Sequence, residues 1–502
     1  MFTAERIGGN WLSWNCLLAL IAGGLMPLAF APYDWPLISV FSLLLFLFVL
    51  AQDVRQHTML KGYLFGLGYF GHGVYWVYFS IYHFGNAPLW LAILIMLGMV
   101  AILASYMALL AYMLNRFFKQ QPALRYLLAF PTLWVGVEWL RSVLFTGFPW
   151  LTIGYSQIDT WLSGWGPIFG VLGMSWLLVL TAGSIFYFFS VSSAGQRLMA
   201  IMLILMSWMG GFFLDDIKWV KPSGEPLKVA LLQGNIPQEI KWLPSFRQRS
   251  IGLYQEMTDQ QSQAKVVIWP ETAIPAFYHQ VKNGLLPALR EQASKNKMDV
   301  VVGLPVMADG GSKYYNALYS VQNKNAYYFK RHLVPLGEYM PLKPLSTFIL
   351  DFLNIPLSDF SAGASQQKLL QAGGYPFASS ICYEDVFQQS SLDGLPQAAY
   401  LVNISNDTWF GDTIAPYQHM QIARMRALES GRYLLRSTST GITAIVNEKG
   451  SVIAQAPMFT RYALTGEMLP MSGSTPFVKA GWWLIILCLV IGSIVCVLKR
   501  DR

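Results

Sequence analysis

Three short stretches of this 502-residue chain carry side chains able to do covalent chemistry together. In FASSICYEDVF, residues 377–387, five apolar or small residues lead into Cys382, and Tyr383, Glu384 and Asp385 follow. The pattern predicts a buried strand running into a sharp strand-to-helix turn with the thiol at the bend. Such an elbow lifts a nucleophile out of a sheet and faces backbone N–H groups toward an oxyanion. The plainer alternative for a lone cysteine in an apolar strand is a small core residue. In VIWPETA, Glu271 stands just past the end of a buried strand, a common address for active-site groups in open α/β sheets. Its alternative is an acid at a helix N-terminus, favoured by the dipole. In YFKRHLVPLGE, Lys330 ends a run of aromatic and apolar strand residues and Gly337-Glu338 follows, with a solvated edge lysine as the alternative.

A thiol, a carboxylate and an ammonium make chemical sense as a set. The carboxylate, in a partly dry site, takes the thiol proton as general base and later returns it to a leaving group. The ammonium lowers the thiol pKa and stabilises a tetrahedral oxyanion. The product is a thioester, reactive enough to pass on its acyl group.

The elements that must position these groups belong to two kinds of chain. Hydrophobic residues make up 54% of the sequence and charged residues only 12%, about half the usual share for soluble globular proteins, which points to a membrane protein. Apolar segments long enough to cross a bilayer run over residues 11–31, 35–52, 63–82, 89–114, 127–145, 168–191, 198–214 and 478–498. The first has a thin charged flank and no small-residue cleavage site, so it does not read as a removable signal. The net charge of +8 comes mainly from short loops: Arg55, Lys61, Arg116, Lys119, Arg125, Arg197, Lys499, Arg500 and Arg502 fall on one side of the membrane. The loops AFAPYDW and HFGNAP and the stretch after Arg141, on the other side, hold almost no basic residues. The positive-inside rule then places both termini in the cytoplasm and the long segment after the seventh span outside, on the periplasmic face in a bacterium. The expected organisation is a seven-helix membrane domain over residues 1–214, an extramembrane domain over 215–476, and a last span with a cytoplasmic tail over 477–502.

Glu138 and Arg141, three apart near a predicted membrane end, read either as an ion pair closing a helix or as a polar contact for a lipid headgroup. Trp150, in GFPW, reads as an interfacial anchor. Of the four cysteines, Cys16, Cys488 and Cys496 fall in predicted spans and Cys382 alone in the extramembrane segment. No zinc-type Cys/His spacing occurs, so neither an internal disulfide nor a metal or other cofactor is expected.

In the extramembrane segment, residues 227–234, 265–270, 298–305, 316–321 and 398–405 read as short buried strands, alternating with helical patterns at 246–263 and 285–297. That alternation implies an α/β layered domain. GITAIVNEKGSVIAQ reads as a hairpin. The apolar stretch 345–357 reads as a surface arm dipping toward lipid or as a buried helix.

The ordered segments WPET, FKRHLVPLGE and ICYED resemble the Glu-Lys-Cys signature of the carbon–nitrogen hydrolase (nitrilase-like) superfamily. With the spans on both sides, the chain is similar to that superfamily's membrane-embedded branch, the apolipoprotein N-acyltransferases of the bacterial inner membrane. LLQGNIPQEIKW, TGFPWLTIGYSQID and NISNDTWFGDTIAPYQHMQIARMRALESGRYLLRSTSTGITA extend the resemblance over nearly the whole chain. Tyr339 departs mildly from the aromatic usual after the Gly-Glu pair. The resemblance implies an αββα sandwich with Glu271 as general base, Lys330 as transition-state stabiliser and Cys382 as nucleophile. Glu338, Tyr383 and Glu384 would support the site, while Trp242 and Trp409 shape its mouth. It further implies that a phosphatidylethanolamine-like phospholipid donates an acyl chain to Cys382. The thioester would then be discharged by the α-amine of the S-diacylglyceryl cysteine of an apolipoprotein.

A membrane-tethered amidase sending the same thioester to water is the nearest rival. A transporter with an exported binding domain would need broken helices or buried midplane charges, which the sequence shows only at Glu138/Arg141. A purely structural anchor leaves the three ordered motifs unexplained. His279, His332 and His419 receive no chemical role, His332 being expected to pack beside the lysine as a structural hydrogen-bonder.

Overall fold

The computed structural model describes residues 10–52, 57–85, 87–119, 121–308, 311, 313–323, 326–335, 337–339, 360–483, 485–487, 490 and 492. The stretch 345–357 and most of 478–498 beyond residue 487 lie outside these. The chain divides into two compact units, one of Met1–Tyr82, Pro88–Ile217 and Ala480–Arg502, the other of His83–Ala87 and Lys218–Lys479.

The first unit is helical: α1 (Asn10–Leu25), α2 (Leu37–Ala51), α3 (Thr58–Gly73), α4 (Val77–His83), α5 (Leu89–Phe117), α6 (Phe130–Val143), α7 (Gly166–Ser190) and α8 (Ala194–Asp215). Among the described residues, four helical segments are long and apolar enough to cross a membrane: Leu89–Phe117, Leu124–Thr146, Trp161–Ser190 and Ala194–Asp215. Trp14–Ala29 and Leu37–Ala51 are shorter apolar helices. The span expected over residues 63–82 is divided between α3 and α4 by a break at residues 74–76, while the glycine-rich run GLGYFGHG itself stays helical to Gly73. Small residues here serve close packing. A Cβ on Gly66 of α3 would lie 2.6 Å from the Ala104 Cα of α5, an approach only glycine permits.

Glu138 and Arg141 are each 2% exposed and both hold the segment that follows α6. Glu138 accepts from the Ile153 N–H at 2.8 Å and the Trp134 indole at 3.0 Å. Arg141 donates to the Phe148 carbonyl at 2.7 Å and to that of Trp150. Trp150 is not an interfacial anchor: it is fully buried, its ring 5.1 Å from that of Trp76.

Among the described residues the second unit contains fourteen strands: β1 (Val220–Pro222), β2 (Leu227–Gln233), β3 (Val266–Ile268), β4 (Asp299–Met307), β5 (Tyr314–Ser320), β6 (Tyr327–Phe329), β7 (Leu370–Ala372), β8 (Tyr375–Ile381), β9 (Tyr400–Ser405), β10 (Leu434–Thr438), β11 (Ala444–Val446), β12 (Val452–Gln455), β13 (Tyr462–Met468) and β14 (Met471–Gly473). Its helices are α9 (Gln238–Lys241), α10 (Pro244–Asp259), α11 (Tyr278–Val281), α12 (Leu285–Lys295), α13 (Gln388–Leu392), α14 (Ala415–Ser430) and α15 (Pro476–Ala480).

Twelve strands form two six-stranded sheets, ordered β13-β2-β3-β4-β5-β6 and β12-β11-β10-β9-β8-β7. Each has a parallel core (β2-β3-β4 and β8-β9-β10) with antiparallel flanks. Ile251, Tyr254 and Met257 of α10 and Leu286, Leu289 and Ala293 of α12 bury against Leu232, Val267 and Val300 of the first sheet. Met420, Ala423 and Ala427 of α14 bury against Leu401, Leu434 and Ala444 of the second. The sheets are joined face to face, the Ser437 hydroxyl of β10 lying 3.1 Å from the Leu232 carbonyl and 3.3 Å from that of Ile268. The result is an αββα sandwich, with the expected hairpin at β11-β12.

On β4, Gly303 lies against the turn after β3. A Cβ there would sit 2.5 Å from the Pro270 carbonyl oxygen and 2.8 Å from the Glu271 Cα, both backbone atoms that cannot swing aside. Gly303→Ala is therefore expected to displace residues 270–272 and to destabilise the protein by about 1–3 kcal/mol, read by denaturant unfolding of the full chain in detergent.

Candidate active site

The three motifs end three strands of the sandwich. Trp269, fully buried, stacks on Tyr254 with ring centroids 5.1 Å apart and donates its indole N–H to the Thr258 hydroxyl at 2.9 Å. That anchor fixes the chain leaving β3 just before Glu271. The next residue, Thr272, has φ +48°, a left-handed value that bends the turn sharply. Lys330 follows β6, and its backbone N–H donates to the Asn316 carbonyl of β5 at 2.9 Å, continuing the ladder. Cys382 follows β8 as the first residue of a single 3₁₀ turn, Cys382–Val386, with φ +52°. A non-glycine residue in that region is strained by about 1–3 kcal/mol and persists only where its surroundings fix it.

Glu384 fixes it. This fully buried carboxylate accepts from the Ile381 N–H at 2.8 Å, within the elbow. It also accepts from the Arg331 N–H at 2.6 Å, the His332 N–H at 3.1 Å and the Tyr328 hydroxyl at 3.0 Å, all flanking Lys330. One side chain thus ties the cysteine elbow to the lysine loop. His332 stacks on Phe387 with centroids 3.5 Å apart and lies 6.1 Å from the Tyr383 ring.

At the centre is the Lys330 ammonium, 1% exposed, 2.8 Å from Glu338 Oε1 and 3.8 Å from Glu271 Oε1. Asn316 donates through Nδ2 to Glu271 Oε1 at 2.6 Å and to Glu338 Oε1 at 3.4 Å. Glu338 Oε2 is held by the Val334 N–H at 2.9 Å. Glu271 Oε2 is buried with no hydrogen-bond partner among the described residues, which leaves that oxygen open to take a proton.

Burial pushes the Glu271 carboxyl above its ordinary range and Glu338 adds to this, while Lys330, Asn316 and Lys241 oppose it. Burial works against charge on Lys330, but Glu338, Glu271 and Cys382 outweigh it and hold the ammonium firmly protonated. Burial and then Glu271 raise the Cys382 thiol, against Lys330 and a hydrogen bond with Ser405. The resting thiol is therefore neutral. The arrangement suits proton removal as bond formation begins, not a standing thiolate.

Trp242 and Trp409 remain 42% and 39% exposed, on segments joined by a 2.9 Å hydrogen bond from Asn406 Nδ2 to Gln238 Oε1. The Trp409 ring meets Phe84 edge-on at 5.0 Å.

Several partners were not singled out in the sequence. Asn316 lay inside a strand pattern, and Lys241 precedes Trp242 as an ordinary helix-end lysine. His419 proves to be part of a buried charged cluster behind the elbow. Its Nε2 faces Asp385 Oδ1 at 2.8 Å and its Nδ1 faces Asp407 Oδ1 at 3.1 Å. Arg436 binds Asp385 Oδ2 at 2.8 Å and Asp407 Oδ2 at 3.0 Å. No sequence spacing announces this cluster, since its members come from the elbow, β10, α14 and the loop after β9.

Two family models match the chain: Apolipoprotein N-acyltransferase N-terminal domain over residues 22–184 and Carbon-nitrogen hydrolase over residues 228–471. The apolipoprotein N-acyltransferase of Methylococcus capsulatus is 48% identical over 487 residues, covering 97% of this chain and 96% of the relative. That of Coxiella burnetii is 39% identical, covering 95% and 98%, and that of Pseudomonas syringae 40%, covering 95% of each. Among solved structures, Saccharomyces cerevisiae Nit3, of the nitrilase superfamily, matches 51% of this chain and 93% of its own at 19% identity and a TM-score of 0.37. An amidase from Nesterenkonia matches 54% and 97% at 15% identity and a TM-score of 0.36.

Burial alone would raise the Asp407 carboxyl, but Arg436 foremost, then His419 and Ser405, hold it well below the ordinary carboxylate range. A carboxyl depressed in this way contributes stability above its unfolded value of about 4 and loses it as the pH falls below that. Arg436→Met, which leaves two buried carboxylates short of their cation, is expected to cost about 3–5 kcal/mol at pH 7. Unfolding measured from pH 7 downward should show the deficit narrowing below about pH 4.

Proposed function

The chain belongs to the apolipoprotein N-acyltransferase family, and from that premise we propose that Glu271, Lys330 and Cys382 carry its acyl transfer. The protein is a membrane acyltransferase of lipoprotein maturation. The observation that best supports the assignment is the buried Lys330 ammonium, 2.8 Å from Glu338 and 3.8 Å from Glu271, which interacts electrostatically with the Cys382 thiol of the φ +52° elbow.

In the first half-reaction a phospholipid, phosphatidylethanolamine-like, presents its sn-1 ester to Cys382. Glu271 takes the Sγ proton as sulfur bonds to the carbonyl carbon, and the oxyanion forms beside Lys330. Collapse breaks the carbon–oxygen bond to glycerol, and Glu271 returns the proton to the departing lysophospholipid. In the second half-reaction the α-amine of an S-diacylglyceryl cysteine attacks the thioester. Its proton passes to Glu271, the carbon–sulfur bond breaks, and the thiol is restored while the acceptor leaves as an amide.

Glu338 holds Lys330, Glu384 holds the elbow to the lysine loop, and Tyr383 lines the site beside the sulfur. Trp242 and Trp409 flank the mouth, where apolar side chains keep water from the thioester. The domain assignment follows: residues 1–214 and 477–502 anchor the enzyme in the bacterial inner membrane through eight spans, both termini cytoplasmic. Residues 215–476 work on the periplasmic side, where both substrates arrive by lateral diffusion.

Incubation of the full chain with labelled phospholipid is expected to leave a hydroxylamine-sensitive acyl adduct on Cys382. A diacylglyceryl lipopeptide with a free α-amine should discharge it, and Cys382→Ser should abolish the transfer. An adduct that decays equally fast without the amine would make the protein an amidase-type hydrolase instead. Trp409→Ala is expected to raise thioester hydrolysis relative to transfer, and partition between free fatty acid and acylated lipopeptide measures it.

A further inference from the structure

Lys241 ends α9 and is 3% exposed, yet among the described residues both acceptors at its ammonium are neutral: the Glu271 carbonyl at 3.2 Å and the Thr272 hydroxyl at 2.7 Å. A buried ammonium without a carboxylate in its hydrogen-bond shell is costly. Burial accordingly pulls Lys241 down to about 8, and the field of Glu271 is what opposes this. A glutamine would donate to the same two oxygens without that cost. What a lysine adds is charge.

The charge has an evident counterpart. Glu271 faces Lys330, Glu338 and Lys241, with Asn316 as its neutral donor and the Cys382 thiol beside it. Lys330 alone would leave two carboxylates sharing one cation. Asp385, Asp407, His419 and Arg436 form their own cluster, and Glu384 is taken up by backbone N–H groups. Lys241 is the second positive charge that makes the Glu271–Glu338–Lys330 group neutral.

We propose that Lys241 is a positioning residue for the general base: its hydrogen bonds fix the strained Glu271–Thr272 turn, and its charge keeps Glu271 ionised between turnovers. This rests on Glu271 acting as the base toward Cys382. A base works deprotonated, so reaction is lost as the pH falls through its pKa, and removing a nearby positive charge raises that pKa. In Lys241→Gln the acid limb should therefore move to higher pH.

The test follows Cys382 in the full-length enzyme by two routes across pH 5–9, a range bracketing ordinary carboxyl and thiol titration. One route is single-turnover acylation from labelled phospholipid, the other alkylation by iodoacetamide, which needs the base but no lipid. Lys241→Gln is expected to shift the acid limb of both upward by about one pH unit, while Lys241→Arg keeps it near the wild-type position. Should Lys241→Gln fail to fold, Lys241→Met against Lys241→Arg makes the same comparison. Coincident limbs for wild type and the neutral variants, even with reduced amplitude, would overturn the proposal by reducing Lys241 to a structural hydrogen-bonder. Absence of acylation in wild type together with a shifted alkylation limb would instead refute the acyl-transfer reading and leave this one standing.

Discussion

One buried ammonium between two carboxylates organises the catalytic unit. Ionised groups taken out of water are tolerated only when charge and hydrogen bonding are matched closely. Lys330 has Glu338 at salt-bridge distance and Glu271 one ångström farther off, an inequality with chemical meaning. Glu338 holds the lysine, while one oxygen of Glu271 has no hydrogen-bond partner among the described residues. Two carboxylates of the same chemistry thus take different roles because their hydrogen-bond environments differ.

The matching must survive although its members come from the ends of β3, β6 and β8. The protein meets this with hydrogen bonds that cross between motifs. Glu384 binds backbone groups of both the cysteine elbow and the lysine loop, Asn316 touches both carboxylates, and the Arg436 cluster backs the elbow from the opposite side. Left-handed backbone at Cys382 and at Thr272 sits where these ties converge. Strain is held at the Cys382 elbow and in the turn that carries Glu271.

Much of this was legible in the sequence because it is local. Strand patterns at 227–234, 298–305 and 398–405 coincide with β2, β4 and β9 to within two residues, since apolar runs bounded by Gly, Pro or Asn encode buried parallel strands directly. The elbow was legible because Cys382 stands where apolar alternation stops. What escaped was pairwise and long-range. Nothing local marks Asn316 or Lys241 as partners of Glu271, and His419 reads like any helix histidine until Asp385 and Asp407 close around it. Trp150 was misread because its GFPW setting suggests an interface, whereas Arg141 draws its carbonyl inward and Trp76 covers its ring. The break between α3 and α4 falls at the apolar residues 74–76, where hydrophobicity runs on unchanged and so gives no sign of it.

The pairing of β2 with β13 carries a consequence for biogenesis. β2 is the first strand of its sheet to be synthesised, yet one of its edges is completed by Tyr462–Met468, almost the last of the unit. β1 likewise waits for β14. Until the ribosome has delivered both, the nascent sheet exposes an unsatisfied margin able to capture other extended chains. Closure between segments so distant in sequence comes late, so this sheet stays open along β2 until Tyr462–Met468 has been made.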